Sequence, residues 1–454
     1  VTETLTVDTG SSATDHVTAN PALSGTGLAN TVVHFTIDGT PVVATATTDA
    51  QGAWSFLPSG LADGSHTIVA SQTDSFGNIG SASLSFTLDT AAPTVAITSP
   101  GGATNQASQA ITGTVDVADA GASVTILDGT TPIGTAIVQG NGSWSTTVSL
   151  NNGANSLTAR VSDAAGNTAT SSAVVYTLST TGPTVTETLT VDTGSSATDH
   201  VTANPALSGT GLANTVVHFT IDGTPVAATA TTDAQGAWSF LPSGLADGLH
   251  TIVASQTDSF GNIGSASLSF TLDTAAPTVA ITSPGGATNQ ASQAITGTVD
   301  VADAGASVTI LDGTTPIGTA IVQGNGSWST TVSLNNGSNS LTARVSDAAG
   351  NTATSSAVVY TLSTTGPTVT ETLTVDTGSS ATDHVTANPA LSGTGLANTV
   401  VHFTIDGTPV VATATTDAQG AWSFLPSGLA DGSHTIVASQ TDSFGNTGSA
   451  SLSF

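Results

Sequence analysis

The stretch that decides the fold is ASLSFTL, residues 82–88, in which apolar and polar side chains alternate at every position. Alanine, leucine and phenylalanine at the even positions share one face, and serine or threonine fill the other. Alternation with a period of two is typical of a β-strand with one buried face. SLTARVSD, residues 156–163, shows the same pattern, with Leu157, Ala159 and Val161 predicted inward and the arginine outward. No stretch has a helical period, so the pattern predicts an all-β protein.

Internal repetition divides the chain. VTETLTVDTGSSATDH begins at Val1, Val185 and Val369, which gives a period of 184 residues. Each period divides again, because Trp54 and Trp144 lie 90 residues apart within similar sequence. Two diverged modules, A and B, therefore alternate. The predicted domains, each with one tryptophan, are A1 (1–91), B1 (92–183), A2 (184–275), B2 (276–367) and A3 (368–454), the last cut short.

Module A contains seven turn-bounded runs that read as strands. They lie near residues 2–7, 21–28, 31–37, 41–48, 53–58, 65–73 and 79–88. Seven short strands in about ninety residues predict an immunoglobulin-like β-sandwich. The absence of cysteine excludes the antibody type. We expect five such sandwiches in an extended rod, and we expect the chain to be part of a longer protein because A3 stops where earlier copies continue as TLDTAAPT.

The charge of the chain limits the kinds of molecule that it can bind. The net charge is −29, with only 2 basic residues against 31 acidic ones. Nucleic acid and anionic lipid both need a basic surface, so neither is expected to bind directly. No run approaches the 18 or so apolar residues of a membrane span. Metal cations are the natural counter-charge.

Acidic loops are predicted to meet at each A-to-B junction. In a sandwich that runs alternately up and down, the loops of A near its exit and the loops of B near its entry face each other across LDTAAPT, residues 88–94. Facing carboxylates repel unless a cation lies among them, and oxygen ligands without histidine or cysteine favour Ca²⁺. The predicted ligands are Asp8, Asp15, Asp89, Asp116, Asp119 and Asp163 at the first junction, and Asp192, Asp199, Asp273, Asp300, Asp303 and Asp347 at the second.

Aspartate, asparagine and glycine are also the ordinary residues of turns. A turn without an ion remains the alternative throughout, and it is favoured for Asp38-Gly39 and Asp63-Gly64. The B-to-A linker, LSTTGPT, has no acid at the position of Asp89. Only Asp233, Asp258 and Glu187 could face that linker from A2. We therefore expect the A-to-B junctions to be the stiffer ones.

No motif indicates catalysis. The chain has no nucleophile elbow, phosphate loop or paired catalytic glutamates, and it is not expected to be an enzyme. The tryptophans of GAWSF and GSWST could stack on sugars, but one tryptophan at the same strand position of every module favours a place in the core. The histidines are expected on the surface.

The combination of DTGSSATD, LDTAAPTV, DAQGAWSF and SDAAGN resembles the tandem bacterial Ig-like repeats of giant secreted adhesins and biofilm-associated proteins of Gram-negative bacteria. The resemblance covers the whole chain. It implies an extracellular, type I-secreted stalk that calcium stiffens at domain junctions and that carries an adhesive tip away from the cell. The linker and loop aspartates typical of that family fall on Asp89, Asp119 and Asp163, and in the second repeat on Asp273, Asp303 and Asp347.

Two other functions remain open. One is a string of accessory modules in a secreted polysaccharide-degrading enzyme, with the catalytic domain outside this sequence. The other is an array that binds glycan or ice directly, for which VATATTD, residues 43–49, offers a short threonine-rich face.

Overall fold

The computed structural model describes all residues, 1–454, and the protein is all-β. No helix in it is long and apolar enough to cross a membrane. The helical content is two short 3-10 turns, Val117–Asp119 and Val301–Asp303. Each predicted module forms two facing sheets, so the predicted fold class is confirmed.

The strands of the A modules follow one plan. A1 contains β1 (Thr4–Leu5), β2 (Val17–Thr18), β3 (Leu23–Thr26), β4 (Val32–Ile37), β5 (Thr40–Thr47), β6 (Ala53–Phe56), β7 (Gly64–Thr73) and β8 (Ile79–Leu88). A three-stranded sheet has the order β1-β3-β6, and a five-stranded sheet has the order β2-β8-β7-β4-β5. All seven predicted strands are present. β2 was not predicted, because its two residues lie in a polar loop and pair in parallel with β8.

Module B follows the same plan with one additional short strand, β16. B1 contains β9 (Val95–Ile97), β10 (Gly102–Thr104), β11 (Ser108–Val115), β12 (Ser123–Asp128), β13 (Thr131–Ile137), β14 (Ser143–Ser149), β15 (Gly153–Ser162), β16 (Thr168–Thr170) and β17 (Val174–Leu178). Its small sheet has the order β14-β11-β9. Its large sheet has the order β10-β17-β15-β12-β13, with β16 paired to β15.

The remaining modules repeat these two. A2 contains β18 (Thr188–Leu189), β19 (Val201–Thr202), β20 (Leu207–Thr210), β21 (Val216–Ile221), β22 (Thr224–Thr231), β23 (Ala237–Phe240), β24 (Gly248–Thr257) and β25 (Ile263–Leu272). B2 contains β26 (Val279–Ile281), β27 (Gly286–Thr288), β28 (Ser292–Val299), β29 (Ser307–Asp312), β30 (Thr315–Ile321), β31 (Ser327–Ser333), β32 (Gly337–Ser346), β33 (Thr352–Thr354) and β34 (Val358–Leu362). A3 contains β35 (Thr370–Leu373), β36 (Leu391–Thr394), β37 (Val400–Ile405), β38 (Thr408–Thr415), β39 (Ala421–Phe424), β40 (Thr435–Thr441) and β41 (Thr447–Ser453).

Each module has its own apolar core between its sheets. On β15, Leu157, Ala159 and Val161 are buried and Arg160 is exposed, as the alternation predicted. All five tryptophans are buried, with Trp144 only 2% exposed. The prediction that they are core residues is confirmed, and they offer no surface on which a sugar could stack.

Candidate functional site

The Asp-x-x-Gly-Asn turns are built by their two end residues. In B1 the turn runs from Asp163 to Asn167 and joins β15 to β16. Asn167 donates its main-chain N–H to Asp163 Oδ1 at 2.8 Å and its side-chain Nδ2 to Asp163 Oδ2 at 2.9 Å. Gly166 has a φ of 90°, which a side chain would strain. The aspartate thus holds the turn, and the asparagine keeps a second amide proton free.

That second proton crosses the junction between modules. Asn167 Nδ2 also donates to the carbonyl oxygen of Asp89, in the linker before B1, at 2.9 Å. Asn351 makes the same bond to the Asp273 carbonyl at 2.8 Å. A turn of the following module therefore holds the linker that precedes it, and we call this bond the linker clamp.

The B-to-A junctions carry the same linker clamp. Asn262 Nδ2, from the turn of A2, donates to the Ser179 carbonyl at 2.9 Å, and Asn446 Nδ2 donates to the Ser363 carbonyl at 2.8 Å. The next strand also touches the linker. A Cβ on Gly264 would lie 1.7 Å from the Pro183 carbonyl oxygen, so only glycine fits there. The clamp is therefore present at all four junctions, whether or not the linker carries an acid.

A second contact is found only at A-to-B junctions. The Thr9 hydroxyl donates to the Ala165 carbonyl, and Gly10 lies against the same turn of B1. A Cβ on Gly10 would lie 1.9 Å from the Ala164 carbonyl oxygen. Thr193 and Gly194 repeat these contacts at the second junction. The long acidic loop of A therefore reaches the entry pole of B, as the sequence predicted.

Four of the predicted calcium ligands lie near one another. Burial raises the pKa of Asp119, and the negative charges of Asp163, Asp116 and Asp89 raise it further. Asp303 is raised in the same way by burial and by Asp347, Asp300 and Asp273. An acid whose pKa is raised by like charges is one that a cation would stabilise.

Other carboxylates at this junction already have partners. Asp116 accepts from the main chain and the hydroxyl of Thr94, both at 2.7 Å, and these bonds lower the pKa of Asp116. Asp163 is buried and bonded by Asn167 through both oxygens. Asp300 and Asp347 have the equivalent partners.

The loop acids divide into two kinds. Asp8 accepts from the His16 N–H through Oδ2, whereas its Oδ1 is buried without a hydrogen-bond partner. Asp15 is exposed and accepts from the Val17 N–H, a bond that starts β2. Asp192 and Asp199 repeat this division. Asp8 thus has an oxygen that lacks a partner, and Asp15 serves the local turn.

The donor chemistry at the junction suits calcium, since every side-chain donor is a hard oxygen. Asp8 Oδ1 is an orphaned buried oxygen of the kind that a cation would satisfy. No group of three or more acidic or histidine side chains has an arrangement that could by itself hold a metal ion. Main-chain carbonyls and water, which Ca²⁺ also accepts, would have to complete the shell.

The acids expected to face the B-to-A linker are directed elsewhere. Asp233 accepts from the Gln235 and Ala237 N–H groups of its own turn. Asp258 accepts from Asn262. Both carboxylate oxygens of Glu187 are shielded from water inside the sandwich. Only the Asp258 turn meets the linker, and it does so through its asparagine.

One histidine in each A module has a specific role that the sequence did not predict. His66 Nδ1 lies 2.7 Å from Asp38 Oδ2, and Nε2 lies 2.7 Å from the Ala62 carbonyl oxygen. The Ala62 carbonyl and then Asp38 raise the pKa of His66. His66 and the Thr67 N–H in turn lower the pKa of Asp38. Asp38 therefore does more than form a turn.

A family model described as the bacterial Ig-like domain matches residues 2–90, 97–180, 179–274, 281–364 and 363–454. The chain belongs to this family. The resemblance to tandem bacterial Ig-like repeats is thereby confirmed across five modules. No curated protein matches the chain.

Several solved structures are similar to this array of bacterial Ig-like domains. A tetra-tandem repeat in the extending region of a large adhesion protein is 27% identical, covering 80% of this chain and 98% of that one, with a TM-score of 0.31. A structure concerning host cell surface retention of a 1.5-MDa bacterial ice-binding adhesin is 24% identical, covering 60% and 97%, with a TM-score of 0.28. The CbhA fibronectin(III)-like modules of Clostridium thermocellum are 18% identical, covering 40% and 94%, with a TM-score of 0.25.

Proposed function

We propose that this chain is an extension segment of a large adhesin, extracellular or displayed on the bacterial cell surface after type I secretion. The observation that carries the proposal is the linker clamp at every junction. The bonds of Asn167, Asn262, Asn351 and Asn446 couple each module to the linker of the one before. Repetition of one such contact yields an array whose length grows with module number, which is the property that a stalk needs.

The buried tryptophans and the absence of a catalytic motif support a mechanical role over catalysis. A glycan-stacking array would need exposed aromatic rings, and the ring of Trp144 is enclosed in its core. An extending region is the role described for the similar large adhesion protein. In this chain we propose the same role, with the adhesive target bound by another part of the parent protein.

We further propose that calcium stiffens the A-to-B junctions. Two observations support an ion there. Asp119 is surrounded by three like charges and partly withdrawn from water, and Asp8 has a buried oxygen without a partner. Ca²⁺ would neutralise the acids, with Asp8, Asp89 and Asp119 as the carboxylates best able to contribute. The linker clamp would keep the linker in place.

The test is calcium titration by calorimetry with the whole chain, together with small-angle scattering with and without chelator. Asp89→Asn combined with Asp273→Asn should weaken binding at two sites, and chelator should change the maximum dimension while the cores stay folded. Asp15→Asn combined with Asp199→Asn is the matched control, because those acids are exposed. Equal affinity in all variants, or scattering that chelator leaves unchanged at low salt, would refute the calcium proposal but leave the clamped array intact.

A further inference from the structure

Every A module has an inward-facing glutamate at its first strand, one residue before β1 and β18 and within β35. These residues, Glu3, Glu187 and Glu371, are all the glutamates of the chain. Both carboxylate oxygens of each are shielded from water and have no hydrogen-bond partner. An ionised carboxylate in such a place lacks both hydration and a compensating bond, so the protonated form is favoured.

The B modules place isoleucine at the same position of the fold. In A3, Glu371 lies opposite Gly393, whose other neighbour is Trp422. In B1, Ile97 lies opposite Gly113, whose other neighbour is Trp144. Ile281 repeats this in B2. The sandwich therefore accepts an apolar side chain at this point, and the glutamate is a property of the A modules alone.

We propose that Glu3, Glu187 and Glu371 are proton-binding sites through which the A modules, unlike the B modules, lose stability as the pH rises towards neutrality. The first strand is where the loss should begin. It follows directly from the linker in A2 and A3, so deprotonation would loosen the start of the module next to the B-to-A junction.

The direction in which stability changes with pH follows from the burial of these carboxyls. Burial raises the pKa of all three carboxyls from the ordinary 4.5 to about 7. The main-chain N–H of Ala70, and of its equivalents Ala254 and Ala438, opposes this with a smaller lowering of the pKa, from a position outside the geometry of a regular hydrogen bond. The folded module thus holds the proton more tightly than the unfolded chain does. The stabilisation is complete below pH 4.5 and is lost as the pH rises to about 7.

No other charge contributes to the shift of Glu3. Strand β1 pairs with β3, and its A3 equivalent, β35, contacts β41, the counterpart of β8. Neither β3 nor β8 has a titratable residue. The facing sheet contributes His34 on β4 and His66 on β7, and His66 is bonded to Asp38. Because the pKa of His66 is also raised, its own stabilisation weakens with rising pH and must be separated from that of the glutamate.

The first experiment is a carboxyl ¹³C NMR titration of the whole chain labelled only in glutamate, so that the three residues are observed without background. We expect midpoints near pH 7 for the folded protein. Midpoints at or below pH 5 would overturn the proposal. The wild-type chain is used, so no variant needs to fold.

The second experiment compares melting temperatures at pH 5 and pH 8 for the wild type and for the triple variant Glu3→Gln, Glu187→Gln and Glu371→Gln. Fluorotryptophan ¹⁹F signals, one per module, report the melting of the A modules separately from that of the B modules. The wild-type A modules should melt lower at pH 8 than at pH 5, and the triple variant should lose most of that difference, leaving the part due to His66. Ile281→Glu should confer the dependence on B2. An equal pH dependence in wild type and triple variant would overturn the proposal.

Discussion

Removing the side-chain amide of Asn262 should weaken the junction between B1 and A2 without changing the core of either module. A1 contains the matched control, because its turn at residues 74–78 has the same sequence and its asparagine makes no bond to a linker. Asn78 Nδ2 donates only to Asp74 Oδ2, at 2.8 Å. Asn262 Nδ2 donates to Asp258 Oδ2 at 3.0 Å and also to the Ser179 carbonyl at 2.9 Å.

The bond to the aspartate is common to both turns and cancels in the comparison. Asn262→Ala should therefore cost more than Asn78→Ala by the worth of one neutral hydrogen bond, about 1 kcal/mol. Such a difference changes the ratio of clamped to released junction by roughly fivefold. The main-chain bonds of the turn remain in both variants.

One assay measures the stability of each module, and a second measures the distance between modules. Urea denaturation followed by ¹⁹F of fluorotryptophan reports A1 through Trp54 and A2 through Trp238. The chain has no cysteine, so spin labels at Thr130→Cys and Ala227→Cys report the distance between B1 and A2. Asn262→Ala should broaden that distance distribution. Equal costs in A1 and A2, with an unchanged distribution, would refute the clamp.

Three further results are expected. Trp144→Ala removes a side chain that is 2% exposed and should lower the free energy of unfolding of B1 by about 3–5 kcal/mol. B1 should then unfold while distant modules keep their ¹⁹F signals, and an equal loss of stability in all modules would contradict independent cores. Gly194→Ala would place a Cβ 1.9 Å from the Ala348 carbonyl oxygen and should change the angle or distance between A2 and B2 measured by small-angle scattering. An unchanged scattering profile would show that this contact does not fix the position of B2 against A2. The His66–Asp38 pair should be strongest between about pH 4 and 6.5. The stabilisation through His66 is lost as the pH rises through its raised pKa, and that through Asp38 is lost as the pH falls through its lowered pKa. An imidazole NMR midpoint at or below 6.5 would contradict this.

The strands and cores were predictable from the sequence for a local reason. Which face a residue occupies in a strand depends only on its place in the alternation, so ASLSFTL was sufficient to place Leu84 and Phe86 in the core. The tryptophans followed the same rule. Strand β2 was not predicted, because two residues are too few to show an alternation and its partner, β8, lies about seventy residues away.

The acidic loops were placed at the correct pole, since the path of a sandwich puts alternate loops at opposite ends. The calcium ligands among them stay a prediction. The asparagine of the Asp-x-x-Gly-Asn turn was visible in every copy, but turn formation alone accounts for it in sequence. Its second partner, the carbonyl of Asp89 or Ser179, belongs to the linker of another module.

The sequence by itself therefore determined the number of modules, their longer strands and their cores, because each of these depends on neighbours along the chain. The tertiary structure decided what joins the modules and how completely the glutamates are shielded from water. A hydrogen bond between a turn and a linker some eighty residues earlier requires the position of one whole module against the next. The alternation in VTETLTV already places Glu3 on the same face as Val1 and Leu5, but the shielding of its carboxylate depends on the closure of the opposite sheet over that face.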